Sequence, residues 1–258
     1  MGERTQIEWT DATWNPTTGC TKVSRGCDNC YAHTLAHGRL SRVYLKGLPV
    51  LDTPEAAGDP FAMRLWPDRL KQPAKWADAR MIFVNSMSDL FHQDVLEDFL
   101  REIFTVMLNV DRHVYQVLTK RPARAQRFYR RNADLFGGGP IPGHIWLGTS
   151  VEDQDAAFRV GQLVNVPAET RFLSCEPLLG PLDLELDGVH WVIAGGESGI
   201  GYRGMDPSWA RAVRDQCLVQ GVPFFFKQWG GRTPKAKGRM LDGRTWDELP
   251  DALHELTV

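Results

Sequence analysis

The stretch "HIWLGTSVED", residues 144–153, runs apolar through Ile145, Trp146 and Leu147 and then breaks into hydroxyls and acids. A strand with one wet face alternates apolar and polar residues. An unbroken apolar run suits a strand covered on both faces, as in a parallel sheet sandwiched by helices. Five other stretches read the same way: "MIFVNSMSD" from Met81, "HVYQVLTKR" from His113, "RFLSCEP" from Arg171, "HWVIAGGESG" from His190 and "VPFFFKQWGG" from Val222. Each ends abruptly in polar or glycine-rich residues.

The segments between them carry helix signals. "DVLEDFLREIFTVMLNV" pairs Asp94 with Glu97 as a capping box, followed by apolar Val95, Phe99, Ile103, Val106 and Val110. "DPSWARAVRDQCLVQG" offers Asp206 as N-cap, Pro207 at the first helical position and Gly221 just past the end, with Cys217 beside Val213 on its apolar side. Alternating strand and helix argues for repeated βαβ units in one sheet. The interval between "FLSCEP" and "VIAGGES" is too short for a long helix, so one crossover must be abbreviated. With a poorly defined first strand before Cys20 there are about seven strands. The fold class is therefore α/β, a TIM-like (β/α) barrel, complete or partial, with an N-terminal Cys-rich loop and a basic C-terminal extension. In such a fold the active face lies at the carboxyl ends of the strands. One domain spans residues 1–258, with residues 1–37 as the cluster-binding region and 230–258 as the extension, where Asp242-Gly243 signals a hairpin turn. Residues 38–72, with prolines at 49, 54, 60 and 67, read as an elaborated loop with short helices.

The net charge of −2 argues against a protein that grips nucleic acid by overall basicity, though a local patch is compatible with it. No run approaches the roughly eighteen apolar residues of a membrane span, and the first residues lack a secretory pattern. A cytoplasmic location with no membrane contact is expected. Five cysteines, three of them clustered, read there as metal binding or catalysis rather than disulfides. Cys175 and Cys217 read as buried core thiols.

Cys20 and Cys27 are separated by six residues, Cys27 and Cys30 by two. A CxxC pair puts two thiolates on one metal, and the third lies on the same loop. With His33 or His37 as a fourth ligand the site is a zinc knuckle. With the fourth position open it is a [4Fe-4S] cluster holding a small molecule at one iron.

The segments "WTDATWNPTTGCTKVSRGCDNCYA", "NSMSDLFH", "LTKRP", "GTSVED", "LSCEPLLGPL", "GGESG", "FFKQWGG" and "LDGRTWDELP" together resemble the phage-associated three-Cys-motif family, largely of unassigned function. More distantly, their order is similar to that in radical S-adenosylmethionine enzymes of the spore photoproduct lyase group. That resemblance implies a [4Fe-4S] cluster on Cys20, Cys27 and Cys30, S-adenosylmethionine as cofactor, and a 5′-deoxyadenosyl radical that abstracts hydrogen from substrate. It implies that Asn85, Ser86, Ser88 and Asp89 meet the methionine amino group and ribose, and that Lys120, beside Thr119, meets its carboxylate. Ser150, Glu152, Glu176 and Glu197 would ring the same mouth, with Lys120, Glu176 and Glu197 as the catalytic candidates. For Ser88 or Asp89 a helix N-cap is the plain alternative, and for the acids it is an ion-pair network. The loop departs from the usual radical-enzyme pattern, which has fewer residues between its first two cysteines and an aromatic before the third; here Tyr31 follows Cys30.

After Lys120, Arg121, Arg124, Arg127, Arg130 and Arg131 recur at near three-residue steps. On a helix they form a basic stripe that either meets nucleic-acid phosphates or is simply solvated. The function expected is a radical S-adenosylmethionine-type enzyme served by a reductant protein and acting on nucleic acid or a nucleotide. The alternative is a non-catalytic nucleic-acid or partner-binding protein with a structural Fe-S or Zn site.

Overall fold

A computed structural model describes residues 5–46 and 58–250. Residues 1–4, prolines 49 and 54 of the central loop, and 251–258 of the extension lie outside the described residues.

Seven strands form one parallel sheet: β1 (Ala12–Trp14), then, past two short strands, β4 (Met81–Val84), β5 (Val114–Thr119), β6 (Ile145–Ser150), β7 (Arg171–Cys175), β8 (Trp191–Gly195) and β9 (Phe224–Gln228), ordered as in the chain. The short pair, β2 (Thr17–Thr18) and β3 (Arg64–Leu65), is antiparallel and had no sequence signal. The sheet curls into a half-barrel with β1 and β9 at its edges. The α/β class expected is what is observed, and among the described residues the sheet stays open rather than closing into a ring.

Helices α3 (Glu97–Asn109), α4 (Pro122–Arg131), α5 (Phe158–Val164) and α6 (Pro207–Gln220) fill successive crossovers, and α1 (Tyr31–His37) and α2 (Ser41–Lys46) follow the cysteines. Their apolar stripes and one set of strand side chains, Ile82, Val84, Tyr115, Val117, Ile145, Leu147, Leu173, Val192, Phe224 and Phe226 among them, make the main core. The α3 stripe is Phe99, Leu100, Ile103, Phe104 and Met107; its N-cap is Leu96 rather than Asp94, so the capping box anticipated there is not made. In α6, by contrast, Asp206 caps through Ser208 N at 2.8 Å, Pro207 opens the helix and Gly221 closes it in the left-handed region at φ 68°. Such a cap contributes about 1 kcal/mol.

The abbreviated crossover between β7 and β8 is an extended strap. Leu182, Leu184 and Leu186 are buried at every second position. Its backbone bonds go to α6 side chains: Gln216 Oε1 accepts from Leu184 N at 2.6 Å and Gln220 Oε1 from Leu186 N at 2.9 Å. The turn at Asp242-Gly243 has φ of 53° and 81°, the positive pair a tight hairpin turn requires, and Leu241 and Arg244 bridge across it.

The opposite face of the sheet is a second core of aromatic rings: Trp9, Phe83, Trp146, Phe172, Trp191 and Phe225. Side chains alternate across a strand, so the following positions on this face toward the carboxyl ends are Gly148 and Ser150 on β6, Ser174 on β7, Ile193 and then Gly195 on β8, and Lys227 on β9. Rings fill the amino-terminal half; small and charged residues line the carboxyl-terminal half. The boundary is sharp at Gly148, where an added Cβ would stand 2.4 Å from the Phe172 ring.

Gly148→Ala therefore overpacks the inner face. A loss of about 1–3 kcal/mol is expected, read as a lower urea midpoint at unchanged slope, with part of it recovered by adding Phe172→Leu. An unchanged midpoint would contradict the packing described.

Candidate functional site

The cysteine loop lies over the carboxyl ends of the strands, and backbone geometry begins to place it. Gly19 takes φ 91°, and its N–H donates to Met87 O at 3.0 Å in the loop after β4. A Cβ at Gly19 would stand 2.0 Å from Ala62 O, so only glycine brings Cys20 to this approach. Asn85, at φ 62°, exchanges hydrogen bonds with Thr17, accepting from its N at 3.4 Å and donating to its Oγ1 at 2.8 Å. Ser88 Oγ meets Thr17 Oγ1 at 2.6 Å, Asn15 bonds Ser86 Oγ at 3.1 Å, and the Tyr31 hydroxyl donates to Ser86 O. The polar run after β4 thus binds the segment that carries the cysteines. Asp89 accepts from Phe91 N at 2.9 Å in an Asx turn; the next helix begins only at Glu97.

Three acids then hold the loop down through bases. Asp89, buried, accepts from Thr119 Oγ1 at 2.7 Å, Lys120 N at 3.0 Å and Arg121 Nη1 at 2.9 Å. The same guanidinium reaches Cys20 Sγ at 3.7 Å and Thr21 O at 3.1 Å. Glu152, 1% exposed, accepts from Arg159 Nη1 at 2.8 Å, from Ser24 Oγ at 2.8 Å and from Lys120 Nζ. Arg159 also donates to Ser150 O at 2.9 Å. Glu197 accepts from Asn29 Nδ2 at 2.9 Å and from Arg203, which reaches Arg25 O at 2.9 Å. A fourth acid, Glu176, pairs with Lys227 at 2.6 Å and with Gln228 Nε2 at 3.2 Å on the β7–β9 side of the mouth, where the buried Gln228 Oε1 has no hydrogen-bond partner among the described residues.

The electrostatics follow. Burial works to raise the pKa of Glu152, but Lys120 and Arg159 outweigh it and hold the carboxyl below its ordinary value. Glu197 is likewise lowered, burial opposing and the Arg203 and Asn29 hydrogen bonds prevailing. Burial pushes the Cys20 thiol up to about 11, Asp89 adding to this and Arg121 opposing it; Cys27 is near enough to raise it further. A bound metal would displace that proton.

All three cysteines are free and half-buried. Among the described residues no group of three or more His, Cys, Asp or Glu converges as ligands of a single ion would. The His33 and His37 rings lie 4.1 Å apart, and His37 pairs with Asp59 at 3.2 Å. Three thiols on one short loop are a donor set that both zinc and iron–sulfur sites use. Cys175 and Cys217 are fully buried, with burial driving the Cys217 thiol to about 12, as core thiols should be.

The five arginines do not all share one surface. Arg121 turns into the mouth and Arg124 donates to Val95 O at 2.6 Å, while Arg131 pairs with Glu97 at 3.2 Å and stays exposed, as do Arg127 and Arg130. Sequence reasoning named the acids of the mouth but not Arg159, Arg203 and Lys227, their partners. The signal available was indirect: buried carboxylates require bases.

A family model described as "Protein of unknown function (DUF5131)" matches residues 4–250. Comparison with curated proteins and with solved structures gave no match.

Glu152→Gln should lower stability by about 3 kcal/mol at neutral pH, since it leaves the buried Arg159 and the half-buried Lys120 short of a carboxylate. A carboxyl with a depressed folded-state pKa stabilises above its ordinary value of 4.5, and that contribution fades as pH falls through the folded-state value. The gap between wild type and variant, measured by urea unfolding, should therefore narrow below pH 4.5. A gap independent of pH would refute the clasp.

Proposed function

The chain belongs to the DUF5131 family, and we propose that it is a radical S-adenosylmethionine-type iron–sulfur enzyme on a partial TIM-like barrel, with Cys20, Cys27 and Cys30 holding a [4Fe-4S] cluster. The observation that supports this reading is the seat of the cysteine loop: it is tied over the carboxyl ends of a parallel sheet at three points, Arg121–Thr21, Glu152–Ser24 and Glu197–Asn29. Ligands bind at that end of such sheets.

When bound, the cluster and S-adenosylmethionine supply one-electron cleavage chemistry and a 5′-deoxyadenosyl radical for hydrogen abstraction. The chain's own residues bind, orient and exclude water. Arg121 places positive charge against Cys20 Sγ, which favours a thiolate. Asn85, Ser86, Ser88 and Asp89 offer oxygens to an ammonium group and a ribose. Lys120 would hold the cofactor carboxylate, and Glu152 would keep Arg159 and Ser24 as partners. Small residues, Gly148, Ser150, Ser174 and Gly195, cover the aromatic floor, and the Glu176–Lys227 pair, on the β7–β9 side of the mouth, is the substrate-side candidate. Glu197 acts as a positioning residue through Asn29 and Arg203. The reading implies a reductant protein, a reducing cytoplasmic setting and, as substrate, a nucleic acid or nucleotide.

One observation favours the second reading, a binding protein with a structural metal: each acid of the mouth already has a basic partner. Anaerobic purification separates the two. The enzyme should be brown, carry about four irons per chain and form 5′-deoxyadenosine from S-adenosylmethionine under dithionite; Cys27→Ala should lose both colour and product. A colourless zinc protein whose Cys27→Ala form is merely less stable would sink the enzyme reading.

A further inference from the structure

On the outer wall, three guanidinia of α4 share one pocket. Arg124, Arg127 and Arg131 line it with Glu97, Leu100 and Phe128 around a cavity of about 90 Å³. Their spacing places them on one side of the helix. The charges there do not cancel. Glu97 is the one carboxylate, and it is engaged by Arg131 at 3.2 Å and Asn132 Nδ2 at 3.1 Å. Arg124 spends Nη2 on Val95 O, while its Nη1, shielded from solvent, has no hydrogen-bond partner among the described residues. A buried guanidinium N–H without an acceptor is costly, and burial followed by the neighbouring Arg127 charge lowers the Arg124 pKa. Arg127 is exposed and makes no ion pair among the described residues. Glu97 and Leu100 belong to the first turn of α3, an end that adds positive potential.

We propose that this pocket binds a phosphate group. Net positive charge excludes an ammonium ligand, and planar guanidinium forks match the oxygens of a phosphate better than a point charge does. A phosphate oxygen supplies the acceptor that Arg124 lacks, reached by a swing of the exposed Arg127 side chain. Glu97 competes with the ligand for Arg131. The proposal does not depend on the cluster: it concerns a different surface and stands or falls alone. Phosphate here comes either from a nucleic-acid backbone or from a free phosphate, and the test separates these sources.

The full chain is titrated into a fluorescein-labelled single-stranded oligonucleotide, followed by anisotropy, and inorganic phosphate is titrated into the chain by calorimetry. Arg127→Gln and Arg131→Gln should each weaken binding about tenfold, the loss expected for one charge-assisted contact. Glu97→Gln should tighten it, a gain that a misfolded protein would not show. Arg130→Gln, outside the pocket, should leave phosphate affinity unchanged. Binding of the oligonucleotide with this variant pattern and a salt slope reduced by about 1 per arginine supports a backbone phosphate; the same pattern with inorganic phosphate alone supports a free one. No binding of either probe, affinity indifferent to Arg127 and Arg131, or no gain in Glu97→Gln overturns the proposal.

Discussion

Glu152 has almost no contact with water, yet it keeps its charge, and the arrangement at the top of the sheet depends on how. Its two oxygens are divided among a lysine from the end of β5, an arginine from α5 and a serine from the cysteine loop. An uncompensated carboxylate there would cost several kcal/mol, so the acid fixes where strand, helix and loop meet. Gly26 shows how tightly: a Cβ on it would stand 2.5 Å from the Glu152 carboxylate. The loop lies against the acid as closely as backbone allows.

The fold and the mouth are two halves of one alternation. On the face without helices, the strands carry Phe83, Trp146, Phe172, Trp191 and Phe225; Trp191 meets Trp146 at 5.7 Å and Phe225 at 6.0 Å, both edge to face. Burying each such ring contributes about 2 kcal/mol. Further along the same face stand Gly148 and Ser150 on β6, Ser174 on β7, Gly195 beyond Ile193 on β8, and Lys227 on β9. The aromatic floor supplies the rigidity against which the charged layer is held, and the cysteine loop closes over that layer.

The strands were legible because both faces are covered, which leaves uninterrupted apolar runs such as Ile145–Leu147. The cap and stop of α6 were legible because Asp206, Pro207 and Gly221 act within their own turn. Start signals failed at α3, where Asp94 approaches His92 at 3.5 Å instead of capping the helix. The strap between β7 and β8 could be known only as a short interval, since its hydrogen bonds go to Gln216 and Gln220, 32 and 34 positions away. In the mouth, local clusters such as Asn85 to Asp89 stood out as polar residues after an apolar strand. Their pairing did not: Arg203 reaches Asp28 and Arg25, and Lys227 reaches Glu176, through contacts that no period or motif encodes.

An open sheet has two rims, and each invites another strand. At β1 the rim is only three residues long, from Ala12 to Trp14, too short a template for a stranger. At β9 the rim is longer and is met by the chain itself: Trp246 O receives Phe226 N at 2.9 Å, and Glu248 N returns to Phe224 O at 3.3 Å. During synthesis these residues leave the ribosome after β9, so a nascent chain shows that hydrogen-bonding rim until they arrive, and a chaperone that shelters it in the interval would guard against strand-to-strand aggregation.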